Sequence, residues 1–195
     1  MLNAFLNLAV RTVTEPRSVA AELLAMRLDR TMLMMALGLA VVLNTIVYQL
    51  SLLAAPPTSN LPILFTSALI FALFIGLGLV LSIVSVTYAG RFLGGKATLE
   101  GIMTLIAWLQ FLRFGLQLVT FVLMPIIPGL VGLLALCATL YGMWLLLQFI
   151  DVAHEFYNLF TSFGALVLAG LGIMLGLALA ISLLGVQNMG LTPYV

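Results

Sequence analysis

The sequence predicts an all-α, polytopic membrane protein with five transmembrane helices, preceded by one or two amphipathic interfacial helices. Hydrophobic residues make up 64% of the 195-residue chain and charged residues only 7%, whereas a soluble domain carries roughly a quarter charged residues. All the charged side chains except Arg113 lie outside five long apolar stretches. Lipid is therefore the expected solvent for most of this chain.

Residues 1–30 are predicted to be a cytoplasmic amphipathic segment. A polar set recurs every three or four residues opposite an apolar face, which is typical of a helix lying at the membrane interface. The polar set is Asn3, Asn7, Arg11 and Thr14, and the apolar face is Phe5, Leu6, Ala9, Val10 and Val13. This segment serves either as a membrane anchor or as the binding surface for a protein partner.

A second short helix is predicted over about residues 16–29. Thr14 is its candidate N-cap, and Pro16 lies in its first turn, where proline is well tolerated. Its inward side chains would be Leu24 and Leu28, and its outward ones Glu22 and Asp29.

Residues 31–195 are predicted to form a five-span transmembrane domain. About 20 apolar residues in a helix cross the hydrocarbon core of a bilayer. The stretches of that length are about 31–53, 62–89, 101–124, 128–150 and 164–186. The second stretch exceeds the minimum, so a tilted or projecting helix is expected there. Glycine or proline clusters separate the first four stretches.

The basic residues predict the orientation. Those outside the spans all fall before the first span or between the second and third: Arg11, Arg17, Arg27, Arg30, Arg91 and Lys96. The loop 54–61, the turn 125–128 and the tail after 186 contain none. Because basic residues are retained on the cytoplasmic side, a multi-pass protein of the cell (inner) membrane is expected. Its N-terminus would be cytoplasmic and its C-terminus on the opposite side.

Arg113 is the principal candidate for a functional residue. It lies about 18 Å into the third span at 1.5 Å per residue, where an arginine costs a few kcal/mol unless it faces other helices or a wet cavity. Gln110 and Gln117 form a polar stripe with it, and Asn44 and Tyr141 lie at similar depth in other spans. These residues form either an inter-helix clamp or a site for an anionic headgroup or solute.

Three other patterns are interpreted structurally. The segment 90–97 matches G-x-x-x-x-G-K-[ST] except at Ala97, and it follows a membrane helix rather than a strand, which excludes a nucleotide site. Asp151 and His154 have spacing suited to a metal, but a site needs more ligands, so a solvated loop is expected. Cys137 is expected to be a small buried hydrophobe.

Small residues at four-residue spacing indicate close helix approach within the bundle, with homo-oligomerisation as the alternative. They are Gly172, Gly176 and Ala180 in the fifth span, and Ala68, Ala72 and Gly76 in the second. Motifs for nucleophilic or metal-dependent catalysis are missing from the sequence, so neither an enzyme nor a cofactor is expected. A net charge of +1 gives no attraction to nucleic acid.

The order of features resembles the Yip (Ypt/Rab-interacting protein) domain family, especially its short bacterial members. The pieces that carry the resemblance are Glu15-Pro16-Arg17 before Ala20-Ala21-Glu22-Leu23-Leu24, then Leu93-Gly94-Gly95-Lys96-Ala97-Thr98-Leu99-Glu100, then Trp144-Leu145 through Ala153-His154 to Ala165. Eukaryotic members bind prenylated Rab-type GTPases, but their aspartate-leucine-tyrosine-glycine-proline signature is missing here. With this resemblance and without a catalytic motif, we expect a non-enzymatic role in membrane organisation or partner interaction. The alternative is a small transporter or permease subunit with an anion or lipid site near Arg113.

Overall fold

The computed structural model describes residues 2–54 and 62–184, and its regular structure in those ranges is entirely α-helical. In chain order the helices are α1 (Leu2–Thr14), α2 (Pro16–Ala25), α3 (Arg30–Ala54), α4 (Ile63–Thr66), α5 (Ala68–Phe92), α6 (Leu99–Leu123), α7 (Pro128–His154) and α8 (Leu159–Leu184). Five of them, α3 and α5 to α8, are long and apolar enough to cross a membrane. The predicted all-α, five-span fold class is confirmed. Residues 55–61 of the predicted loop 54–61, and the tail after 186, lie outside the described residues.

The long second stretch is divided into two helices rather than one tilted helix. Its break is at Ser67, an extended residue whose hydroxyl accepts a hydrogen bond from the Ile70 N–H at 3.5 Å and so caps α5. Helix α6 begins in the same way, because Thr98 accepts a hydrogen bond from the Gly101 N–H at 3.0 Å. Pro128 stands in the first turn of α7.

The junction between α1 and α2 differs from the prediction. Thr14 is the last residue of α1, and its hydroxyl donates back to the Val10 and Arg11 carbonyls, so it does not cap α2. Glu15 is the N-cap residue and makes no side-chain cap. Pro16 does lie in the first turn of α2. The second helix is shorter than predicted because it ends at Ala25, and Arg27 then has a positive φ of 44°.

The packed core is concentrated at one end of the bundle. We call it the collar end: α3, α6 and α8 begin there, α5 and α7 end there, and the collar (α1 and α2) packs against it. The buried residues of α6 are 102–108, those of α5 lie between 83 and 90, and those of α7 between 145 and 154. In the opposite halves of these helices the described apolar side chains are half-buried or exposed. Such outward apolar surface suits contact with lipid.

Helix α2 belongs to this core, whereas α1 lies across it. Val19 and Ala20 of α2 are fully buried and Leu23 is 5% exposed. On α1, the fully buried Thr12 accepts a hydrogen bond at 3.0 Å from the indole N–H of Trp108 in α6. Phe5 meets the same indole edge to face, with the ring centroids 5.1 Å apart. The collar is therefore docked on the spans along both of its helices.

The two glycines of the small-residue stripe of α8 make no close helix contact in the part of the chain that the structure describes. A Cβ placed on Gly172 or Gly176 would meet no described atom within 4 Å, and the same holds for Gly76 of α5. Close approach occurs instead nearer the collar end, where Ala165 is fully buried and Ala169 is 3% exposed on the same face of α8. The predicted packing is thus wrong for these glycines, because α8 buries no described side chain beyond Ala169.

Candidate functional site

The structure separates the residues that were predicted to cluster around Arg113. The Asn44 amide donates to the Ala40 carbonyl at 2.7 Å and reaches the Gln110 carbonyl of α6 at 3.4 Å. Tyr141 is directed elsewhere, because its hydroxyl donates to the Val13 carbonyl of α1 at 2.5 Å. Asn44 therefore belongs with the α6 stripe, and Tyr141 belongs with the collar.

Arg113 is exposed on the single chain, whereas the depth argument predicted that it faces other helices or a cavity. Within the described residues it makes no hydrogen bond or ion pair, so the inter-helix clamp is not formed here. It does not share the apolar outer face of α6. Val122 is 61% exposed, and at 3.6 residues per turn it projects from the opposite side of the helix.

Polar atoms without partners are buried on α6, which carries Arg113, and on the neighbouring helix α3. Among the described residues they are Asn44 Oδ1, Thr45 Oγ1 and Gln49 Nε2 on α3, and Gln117 Oε1 on α6. Buried polar atoms are nearly always hydrogen-bonded to protein or water, so these four are sites for water or for a polar ligand. Thr45 and Gln49 were not predicted; their signal was two polar residues within an apolar span.

A second polar cluster lies at the collar end, on residues that the sequence interpretation assigned to a solvated loop. Asp151 is 3% exposed, and its Oδ2 accepts a hydrogen bond from Arg17 Nη2 of α2 at 2.7 Å. Its Oδ1 accepts from the Asn158 N–H at 2.9 Å and from the Ser162 hydroxyl at 3.3 Å. Arg17 Nε also donates to Gln148 Oε1 at 2.6 Å. The solvated-loop interpretation is wrong because Arg17 supplies the opposite charge that permits burial.

His154 is buried by two glycines of the segment that resembled a nucleotide-binding loop. The imidazole is 1% exposed, and a Cβ on Gly90 or Gly95 would lie 2.1 Å and 2.3 Å, respectively, from its nearest ring atom. Phe156 stacks on the ring at 5.1 Å between centroids, and the Lys96 N–H donates to the His154 carbonyl at 3.1 Å. The glycines of this segment thus make room for a histidine. The described residues contain no group of three or more metal-ligating side chains.

An exposed ion pair closes the same loop. Lys96 Nζ lies 2.9 Å from Glu155 Oε2. The hydrogen bond to Glu155, followed by its charge, raises the pKa of Lys96 above its usual value of 10.5. Both side chains are largely exposed, so the pair contributes little to stability.

An open cleft of about 590 Å³ lies where α2 meets α7. Its walls are the start of α2, one face of α7 and the first residue of α8, namely Glu15, Pro16, Arg17, Ser18, Trp144, Gln148 and Leu159. Cys137 lies on α7 farther from the collar end than this cleft, and it is exposed. Its predicted burial is wrong because α7 buries no side chain in that half of the helix.

These features are compatible with a multi-pass integral membrane protein that has a docked N-terminal collar. Comparison with known proteins found no matching family model, no matching curated protein and no matching solved structure. The resemblance to the Yip family therefore stays a prediction.

Proposed function

We propose that this chain is a non-enzymatic integral membrane protein, similar to short Yip family members, that acts through interactions at its collar end. The observation that carries the proposal is the docking of the collar. Arg17 is tied to the buried Asp151, and α1 is tied to Trp108 and Tyr141. A collar that is held in place by these bonds while other side chains, such as Asn7 and Ala21, stay exposed is suited to presenting a surface to a partner.

The collar end is proposed to be cytoplasmic, in the cell (inner) membrane. Arg17, Arg91 and Lys96 lie at this end, which supports the proposal because basic residues are retained inside. The test uses a Cys137→Ala background with single cysteines at positions 58 and 96 and a membrane-impermeant maleimide. Position 58 should react in intact cells and position 96 only after permeabilisation. The reverse pattern would overturn this orientation.

Partner interaction is tested by photo-crosslinking in cells. A crosslinking amino acid is placed at Asn7 of α1 or Ala21 of α2, both exposed, and a matched control is placed at Leu175, which is 65% exposed far from the collar end. We expect a protein adduct of discrete mass from the two collar positions and lipid adducts alone from the control. Lipid adducts alone from all three would refute partner interaction and leave membrane organisation as the function.

A small transporter or permease subunit is the second candidate, with an anion or lipid headgroup bound near Arg113. The unpartnered buried oxygens of Asn44 and Gln117 favour it, because they mark polar space on the flanking helices. Arg113→Leu should keep the chain folded, and even stabilise it by up to about 3 kcal/mol, since an unpaired charge leaves the apolar region. It should also abolish anion or lipid binding.

Gln117→Leu serves as the matched variant for that experiment. It removes an uncharged member of the same stripe, so it should weaken binding less than Arg113→Leu does. Thermal unfolding in detergent and binding of radiolabelled anions or lipids are measured for both variants. A loss of folded protein with Arg113→Leu would refute the binding site and indicate that Arg113 has a structural role instead.

A further inference from the structure

The cleft between α2 and α7 holds a cationic group that is fixed in place but not fully used. Arg17 donates through Nε to Gln148 and through Nη2 to Asp151, at 2.6 Å and 2.7 Å. A guanidinium has five N–H donors, and within the described residues those on Nη1 make no hydrogen bond. Two bonds to buried acceptors fix the plane of the guanidinium, and Arg17 is one of the residues that line the cleft.

The start of α2 adds backbone donors to the cleft. Glu15, the N-cap residue, makes no side-chain cap, and the first N–H groups of a helix have no intrahelical acceptor. In a continuous helix the Arg17 and Ser18 N–H groups would donate to the Val13 and Thr14 carbonyls, but neither bond is formed. Within the described residues these two N–H groups have no backbone acceptor, so they can bind an anion.

Gln148 contributes a side-chain amide to the wall of the cleft. This residue is only 7% exposed, and its Oε1 is occupied by Arg17. Its Nε2 makes no hydrogen bond within the described residues. This nitrogen is not among the buried polar atoms that lack a partner, so it stays accessible from the cleft and can donate to a ligand there.

The charges and the ring in the cleft select the kind of ligand. Asp151 already balances Arg17, and the exposed Glu15 carboxylate has no ion pair or hydrogen bond among the described residues. The cleft thus carries an excess negative charge that disfavours a simple anion. Trp144 is 38% exposed and offers its ring to a cation. A group that joins a phosphate to a primary ammonium suits both the hydrogen-bond donors of the cleft and its Glu15 and Trp144 side chains.

We propose that this cleft binds the phosphoethanolamine headgroup of a membrane phospholipid. The phosphodiester is held by Nη1 of Arg17, the Gln148 amide and the first N–H groups of α2. The ammonium is held by Glu15 and Trp144. Leu140 lies one turn from Trp144 on the same face of α7 and is 64% exposed, so it provides an apolar path for the acyl chains. This site is separate from the Arg113 region and does not depend on the partner interaction proposed above.

The proposal is tested by native mass spectrometry on the full chain, purified in detergent and stripped of lipid. It is titrated with phosphatidylethanolamine, phosphatidylglycerol or phosphatidylcholine of the same acyl chains. We expect one phosphatidylethanolamine per chain, bound at least tenfold more tightly than the other two. Equal affinity for phosphatidylethanolamine and phosphatidylglycerol would overturn the assignment.

Two carboxylate variants on the collar locate the site. Glu15→Gln removes the partner of the ammonium without breaking any side-chain bond, and it should weaken phosphatidylethanolamine binding about tenfold. Glu22→Gln makes the same charge change on α2 but away from the cleft, breaking only the exposed Arg11 pair at 3.0 Å, and it should bind as the parent does. Equal effects of the two variants would refute the location.

Competition with glycerophosphoethanolamine, the same headgroup without acyl chains, distinguishes a lipid from a soluble ligand. For a lipid site it should displace phosphatidylethanolamine only at a concentration at least a hundredfold higher. Displacement at equal concentration would overturn the lipid source and identify a soluble phosphoethanolamine compound as the ligand.

Discussion

Replacing Gly90 with alanine would place a methyl group in the space that the His154 ring occupies. The new Cβ would lie 2.1 Å from Cε1 and 2.2 Å from Nε2 of His154, whereas carbon atoms in contact are about 3.5–4.0 Å apart. The ring has no room to withdraw, because Gly95 lies against its Nδ1 side and Phe156 stacks on it. Overpacking of a core costs about 1–3 kcal/mol. We expect Gly90→Ala to fall at the upper end of that range.

Unfolding by SDS titration in mixed micelles measures this cost. Gly78→Ala is the matched control, because it lies on the same helix and its added Cβ would meet nothing within 4 Å. It should be neutral or slightly stabilising. In the double variant with His154→Ala the clash disappears. The sum of the unfolding free energies lost in the two single variants should therefore exceed the loss in the double variant by about 1–3 kcal/mol. Additive costs, or equal stability of Gly90→Ala and Gly78→Ala, would refute the reasoning.

Three further predictions concern the collar and the start of α3. Arg17→Leu should lower the unfolding free energy by about 3 kcal/mol because Asp151 would stay buried without its cation. Asp151→Asn, which leaves a half-exposed guanidinium, should cost less; the reverse order in SDS titration would contradict this. Trp108→Phe should cost about 1 kcal/mol through its lost hydrogen bond and speed limited proteolysis within α1, and unchanged cleavage would count against docking. The Thr31 N–H donates to the Asp29 carboxylate at 2.9 Å and lowers the pKa of Asp29 below 3.8. This stabilisation is present above pH 3.8 and is lost as the pH falls through the depressed pKa. A carboxyl NMR titration should therefore place the pKa of Asp29 below 3.8, and a midpoint at or above 3.8 would contradict the prediction.

The spans could be predicted because hydrophobicity is a local property. Each apolar stretch is long enough to cross a membrane, and the helices found there differ from the predicted ranges mainly at their ends. Those ends depend on single caps, such as Ser67, which divides the second stretch. Thr14 was misassigned because its hydroxyl has a competing acceptor in the turn before it. A cap residue is easily confused with the final residue of the preceding helix.

The candidate sites were harder to predict because their partners are distant in sequence. The Arg17 and Asp151 pair joins residues 134 positions apart, and only the fold reveals that the carboxylate is buried. Likewise, Gly90 and Gly95 have the spacing of a phosphate-binding loop, and the ring that they accommodate comes from the end of α7. Arg113 was a candidate from its position in an apolar span, but the direction of its side chain depends on helix packing that the sequence does not specify.

The docking of the collar also imposes an order on the synthesis and membrane insertion of the protein. Helices α1 and α2 leave the ribosome before the spans do. Their binding partners Tyr141, Gln148 and Asp151 belong to α7 and are synthesised more than a hundred residues later. The collar must wait until the fourth span has been inserted, and the exposed apolar side chains of α1, such as Leu6 and Val10, allow it to rest on the bilayer meanwhile. The collar is thus made before the spans but docks only after most of them are in the membrane.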